Sequence, residues 1–404
     1  MKVIDLKTWI VGNPPPQYGG RYFIFVKLTT SNGISGVGEV YSATFSPNVI
    51  VAMIEDIFSR HVEGMDPCRV EDLWRQVYSA GFTMRPDTSV MGVLSGLETA
   101  LWDIQGKAAE KPVFELLGGL CHPRMRTYSY LYPNPEKGGA HDDASKDFYF
   151  DPDASAQRAL NYVAQGFTAL KFDPMDLYSA YDPRQPSVEE LDRAEAFCRR
   201  IREAVGDQAD LLFGTHGQFT ASGAVRLARR IEAYDPLWFE EPTPPDMPES
   251  MAEVARKTTI PIATGERLTT KYEFARVLQT GAASILQMAI GRVGGIWEAK
   301  KIASMAETHY AQIAPHLYCG PIEGAANAAV AFSSPNALIV ESIERWDGFT
   351  QKILSKSLVW EDGFLLPPTE PGLGVELDEA VADAHPWQGT ELHLIPSSKS
   401  PMAG

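Results

Sequence analysis

Four carboxylates, two histidines and a lysine fall at the ends of short apolar runs in the later part of this chain. ALKFD closes with Lys171 and Asp173, LLFGTHGQ passes from Gly214 to His216, WFEEP holds Glu240, ATGER holds Glu266 and Arg267, APH ends in His316, and LIVES holds Glu341. Alternate residues of a strand share a face, so Lys171 and Asp173 point the same way. Glu240, Glu266 and Glu341 gathered in one confined mouth would be costly as bare anions, because desolvation and mutual repulsion both raise carboxylate pKa values. A divalent cation relieves that cost, and oxygen donors with open positions favour Mg²⁺. Taken singly, each acid reads equally well as a helix cap or as a partner of Arg267 or Arg292, and each histidine as a hydrogen-bonded structural residue. Their recurrence at successive strand ends is what points to a site.

The runs that carry these residues alternate with amphipathic stretches. Strands are expected at 126–131, 168–173, 210–214, 236–240, 261–265, 284–288, 311–315 and 337–341, with helices between them. Eight β/α units whose strands read as continuous apolar runs match a parallel barrel, in which active residues sit at the C-terminal strand ends. A doubly wound sheet would place a glycine-rich turn after its first strand, and none occurs there. Before this region, residues 2–11, 22–30 and 34–40 read as strands, the last two joined by the Ser31–Asn32–Gly33 turn, and residues 47–62, 69–80 and 87–109 read as helices. The fold class is therefore α/β, a modified (β/α)₈ barrel with an α+β capping module. The expected division is a capping module at 1–123, a barrel at 124–345, and a segment at 346–404 returning to the cap. The proline- and glycine-rich stretch NPPPQYGG, residues 13–20, suits either a linker or a lid.

Composition narrows the partners. A net charge of -16 disfavours nucleic acid and anionic membrane, so a small anionic substrate needs local positive charge to capture it. The four cysteines show no C-x-x-C spacing, which argues against a disulfide framework and a zinc knuckle. Asp5 and Lys7 interrupt the only apolar stretch at the N-terminus, and no run approaches membrane-spanning length. A cytoplasmic protein is expected.

WFEEPT (238–243), ATGER (263–267), GRVGG (291–295), APHLYCGP (314–321), PGLGVELD (371–378) and SGLETALWDIQGKAAEKPVFELLGG (95–119) together resemble the mandelate racemase/muconate lactonizing branch of the enolase superfamily, over nearly the whole chain. The sugar-acid dehydratases of that branch, of galactonate and mannonate type, are the most similar. The resemblance implies a cap built from both termini over the barrel, proton abstraction α to a carboxylate, and an enediolate stabilised by Mg²⁺ with a Lys or His base. It implies Glu240 and Glu266 as metal ligands, His316 as base, His216 as the acid that protonates the leaving hydroxyl, Lys171 as a further catalytic residue, and Glu341 as a substrate partner. It also makes residues 13–20 a specificity loop, with Tyr18, Arg21, Gln218 and Arg267 expected to contact a small carboxylate substrate, and it suggests a homo-oligomer, dimer or octamer.

Two positions depart from the family pattern. Where the family carries its first metal-ligating acid stands Gly214, and where it carries the Asp that orients the base stands Ala289. Asp173 is the expected replacement ligand, with His216 as its rival. Tyr178, Tyr181 and Arg184 offer an alternative base pair, and His141 and Lys146 an extra substrate contact. Three functions stay open at this point: a Mg²⁺-dependent sugar-acid dehydratase, an epimerase or cycloisomerase sharing its first step, and a barrel that binds without turnover.

Overall fold

The computed structural model describes residues 1–41, 45–80, 82, 86–134, 148–175 and 178–393. His141 and Lys146 lie outside them. Strands β1 (Val3–Gly12), β2 (Tyr22–Thr30) and β3 (Ser35–Glu39) form an antiparallel sheet in that order, and helices α1 (Pro47–Ile57), α2 (Val70–Ala80) and α3 (Thr88–Ala108) pack with it. Asp87 starts α3 by accepting from the amides of Ser89 and Val90, two of the four donors a helix leaves unpaired at its first turn. Almost every α3 side chain from Met91 to Ile104 is buried, because the helix lies between the sheet and the barrel. Its approach to β3 needs glycine: a Cβ on Gly38 would stand 1.9 Å from the Gly96 carbonyl.

Two buried carboxylates fasten this cap to barrel helices. Glu39, at the end of β3, accepts from the amides of Gly320, Ile322 and Glu323 at the N-terminus of the helix Pro321–Phe332, and from the Cys319 thiol. Glu98, on α3, accepts from the amides of Ile296 and Trp297, at the start of the helix Ile296–Thr308, and from the Trp102 indole. Orphan amides and the positive end of a helix dipole make each site favourable for an anion. Burial nevertheless pushes the Glu39 carboxyl up to about 7 and that of Glu98 up to about 8.

The expected barrel is present. Strands β4 (Met125–Tyr130), β5 (Ala169–Phe172), β6 (Asp210–Gly214), β7 (Trp238–Glu240), β8 (Ile262–Thr264), β9 (Ile285–Leu286), β10 (Gln312–Ile313) and β11 (Val340–Ser342) are parallel and adjacent in that order. β11 returns to β4 through the pairs Val340–Thr127, Glu341–Tyr128 and Ser342–Ser129, and a single bridge, Ile313–Ala337, links the β10 side. All eight lie within or one residue outside the apolar runs. One residue from each barrel segment, Tyr128, Ala169, Leu212, Trp238, Ala263, Ile285, Ala314 and Ile339, fills a buried interior layer. Three alanines leave room there for larger side chains, and Tyr128 meets Trp238 edge-on at 5.2 Å. This layer floors the mouth above it.

The segment after 346 touches both bodies. A hairpin (Trp360–Glu361 and Phe364–Leu365) extends the sheet from β4, whereas Pro386 bridges Val11 and Glu379 pairs with Lys7 and Lys27 on the capping sheet. No helix is long and apolar enough to cross a membrane among the described residues.

Candidate active site

The C-terminal strand ends bring Lys171, Asp173, His216, Glu240, Glu266, His316 and Glu341 into one cluster. Lys171 projects from β5 with its ammonium 2.7 Å from Glu240 Oε1 and 3.7 Å from Glu341 Oε1, and only 3% of its side chain is exposed. Burial would lower the lysine pKa, but Glu240 and Glu341 outweigh it and hold the ammonium charged. The second oxygen of Glu240 accepts from the Trp238 indole at 3.1 Å and from the Gln287 amide at 2.7 Å. Glu341 accepts from the Leu317 amide at 2.7 Å, and burial raises its carboxyl to about 7 against the pull of Lys171.

His216 follows β6 with φ +47°, a left-handed conformation that non-glycine residues seldom adopt. The Gly217 amide, bonded to the Glu241 carbonyl, and the Arg267 guanidinium, bonded to the His216 carbonyl, hold the turn. The turn directs His216 Nδ1 to Asp173 Oδ2 at 2.5 Å. Burial would lower the imidazole pKa, yet Asp173 overrides it and lifts His216 to about 9, so the ring is protonated at neutral pH.

His316 is the opposite case. Its Nε2 lies 3.3 Å from Glu266 Oε2 and 3.9 Å from Glu341 Oε2, while its Nδ1 is buried without a hydrogen-bond partner. Ala289 has no polar atom to offer it. Burial pushes this imidazole down to about 3, leaving it neutral. Burial would raise the Glu266 carboxyl, but its interaction with His316, and then those with His216, Lys171 and Arg267, hold it well below the usual carboxylate range.

Several expected residues are engaged elsewhere. Asp173 is not poised as a metal ligand: one oxygen serves His216 and the other accepts from the Met175 amide. Gln218 is buried, its carbonyl oxygen taken by Arg184, and Arg184 is fixed by Asp182 and Glu190 as well. Of the alternative Tyr–Arg set, Tyr181 is 61% exposed, whereas Tyr178 lies beside His216 with ring centroids 5.8 Å apart. Arg21 donates to the Leu392 carbonyl. Tyr18 stacks on Tyr132 with centroids 4.3 Å apart, and its hydroxyl donates to the Pro133 carbonyl. The loop 13–20 is thereby seated on the loop after β4, and Gly19 and Gly20 press against Cys319 and His393. Arg267 pairs with buried Glu241 and, with Tyr178, His216, Pro244 and Met247, lines an opening of about 500 Å³ beside the mouth.

The Mg²⁺ expected from the resemblance can be tested against this donor set. Gly214 has no side-chain oxygen, Asp173 is committed to His216, and each oxygen of Glu240 already has a partner, Lys171 on one and Trp238 with Gln287 on the other. One oxygen of Glu266 and the amide oxygen of Gln287 are buried without a hydrogen-bond partner among the described residues. Among the described residues no three His, Cys, Asp or Glu side chains converge to hold a metal ion. These residues do not fit a bound Mg²⁺, an ion that asks for near-octahedral oxygen coordination.

Trp238 and Gln287 escape a reading of the sequence as site residues. The signal for Trp238 was its place two residues before Glu240, on the same face of the strand. Gln287 follows the corresponding run on β9, where a polar residue at a barrel strand end deserved the weight given to the acids.

Comparison with known proteins gives this arrangement its context. Residues 154–381 match the family model described as enolase C-terminal domain-like, and residues 18–118 match the mandelate racemase/muconate lactonizing enzyme N-terminal domain. D-galactonate dehydratases of Ralstonia nicotianae and Xanthomonas euvesicatoria are each 36% identical to the chain, over 94% of it and 93% of their own length. Among solved structures, a protein of the mandelate racemase/muconate lactonizing enzyme group from Labrenzia alexandrii DFL-11 is 60% identical with a TM-score of 0.95, and a like protein from Roseovarius sp. TM1035 is 52% identical with a TM-score of 0.95, each covering 99% of both chains.

Proposed function

We propose a reaction for a chain that belongs to the mandelate racemase/muconate lactonizing enzyme family: it is a lyase that dehydrates a sugar acid, taking a 2,3-dihydroxy carboxylate to its 2-oxo-3-deoxy product. The observation that carries the reading is the opposite protonation of the two imidazoles, His316 neutral and His216 held as an imidazolium by Asp173. The names of the curated relatives support the dehydratase class.

The chain's own residues supply each proton movement. Neutral His316 takes the α-proton at Nε2, and the nearby carboxylates of Glu266 and Glu341 meet the imidazolium that forms. His216 gives a proton to the β-hydroxyl as the carbon–oxygen bond breaks, water leaves, and the resulting enol tautomerises to the 2-oxo acid. Asp173 is a positioning residue that fixes the His216 ring and keeps it charged until that step. The interior layer beneath and the seated loop 13–20 limit water at the mouth. Because the fold-family metal does not fit the donor set, no step runs through it.

The test is incubation of the protein with aldonates and aldarates in D₂O, following loss of the α-proton signal and appearance of a 2-oxo acid. Exchange with elimination supports the reading. Exchange alone assigns the chain to the epimerases or cycloisomerases instead, and no exchange with any hexonate, pentonate or aldarate sinks α-proton chemistry on sugar acids.

A further inference from the structure

We propose that the Lys171 ammonium is the resident cation of this barrel mouth, occupying by a covalent tether the role that a divalent metal ion has in the family. The inference rests on the proposed reaction only for the use made of that charge. Its placement rests on geometry.

The lysine meets the acid that a metal would need. Its Nζ is 2.7 Å from Glu240 Oε1 and 3.7 Å from Glu341 Oε1, while Trp238 and Gln287 occupy the other oxygen of Glu240. The neighbouring strand has made room. A Cβ on Gly214 would stand 3.8 Å from Lys171 Cε, 3.9 Å from the Phe172 carbonyl and 4.0 Å from Asp173 Cβ, all ordinary contacts. Its backbone does not lie in the left-handed region either. Neither strain nor crowding demands glycine here, so the missing acid is a chemical difference. An aspartate at 214 would bring a third carboxylate to Lys171 and Glu240. With glycine, the ammonium offsets one of the two carboxylates, Glu240 and Glu341, that it faces, and a dication added there would face the ammonium across a few ångströms of buried space. An ammonium can still meet a substrate carboxylate and the enediolate derived from it, as a weaker counter-charge than a metal.

The experiment is Mg²⁺ and Mn²⁺ titration of the full-length protein by calorimetry, with metal content measured after dialysis against a chelator. The wild type is expected to show no stoichiometric binding, whereas a Gly214→Asp, Lys171→Met double variant, which supplies the oxygen and removes the tethered charge, is expected to bind one ion with at least 100-fold higher affinity. Stoichiometric binding by the wild type that disappears in Glu240→Gln overturns the proposal, and so does a folded double variant that gains no affinity. If the double variant does not fold, the wild-type titration decides alone. Turnover separates this proposal from the function: dehydration that persists in chelator supports both, and dehydration lost in chelator and restored by Mg²⁺ overturns only the tethered cation. An absence of both turnover and metal binding overturns the dehydratase reading and leaves the cation's placement standing.

Discussion

Asp173 Oδ2 lies 2.5 Å from His216 Nδ1, so the carboxylate–imidazole pair of this site is built on the histidine after β6 and not on the one after β10. The pair sets a pH dependence whose sign is fixed. A group whose folded pKa is raised stays protonated until the pH passes that value, so activity that needs His216 as an acid falls as pH rises through about 9. In Asp173→Asn the fall moves down toward about 6.5, the ordinary histidine value. At pH 8 the protonated fraction of His216 falls from about 0.9 to about 0.03, so the variant loses roughly 30-fold in dehydration rate. A pH–rate profile and an NMR titration of the His216 ring check it.

His316 and His216 act on different bonds, so their variants separate. His316→Asn is expected to abolish α-proton exchange in D₂O together with dehydration. His216→Asn retains exchange and loses elimination. Finding both variants unable to exchange would assign His216 to proton abstraction as well.

The cap rests on buried acids, and its stability falls between mildly acidic and neutral pH. Burial raises Glu39 to about 7 and Glu98 to about 8 from an ordinary value near 4.5, so the folded state favours their protonated forms. The stability they contribute is fully present below the unfolded value, declines as pH rises from about 4.5, and is lost once the pH has passed the folded values of about 7 and about 8. Melting temperature is expected to drop across that range, and Glu98→Gln to flatten part of the slope, as read by calorimetry at matched ionic strength.

Gly20 has φ +120°, and a Cβ there would fall 1.9 Å from the His393 ring. Gly20→Ala should therefore unseat the loop 13–20. The expected result is a severalfold higher KM with a melting temperature close to wild type, because the loop is seated on the loops after β4 and β10 and outside the buried interior layer.

The barrel was legible because buried parallel strands leave continuous apolar runs, and each of the eight fell where such a run stood. The ring of strand-end residues was legible for the same reason: once the strands are placed, their last residues must converge. What pairs with what was not. Asp173 looked like a replacement ligand because sequence order cannot show that His216 turns through a left-handed backbone to reach it. Gln218, Arg184 and Arg21 carry suitable chemistry and sit in suitable loops, yet each is spent on a neighbour: Arg184 on Asp182, Glu190 and Gln218, and Arg21 on Leu392. Glu39 and Glu98 read as ordinary residues of a strand and a helix, since their helix-end partners are roughly 200 or more positions away.

The ring of His393 fills the space beside Gly20, so segments from opposite ends of the chain meet there. The seat of the loop 13–20 is thus encoded in two distant stretches of the polypeptide. Transplanting the proline-rich loop from a relative would change selectivity only if the stretch around His393 travelled with it.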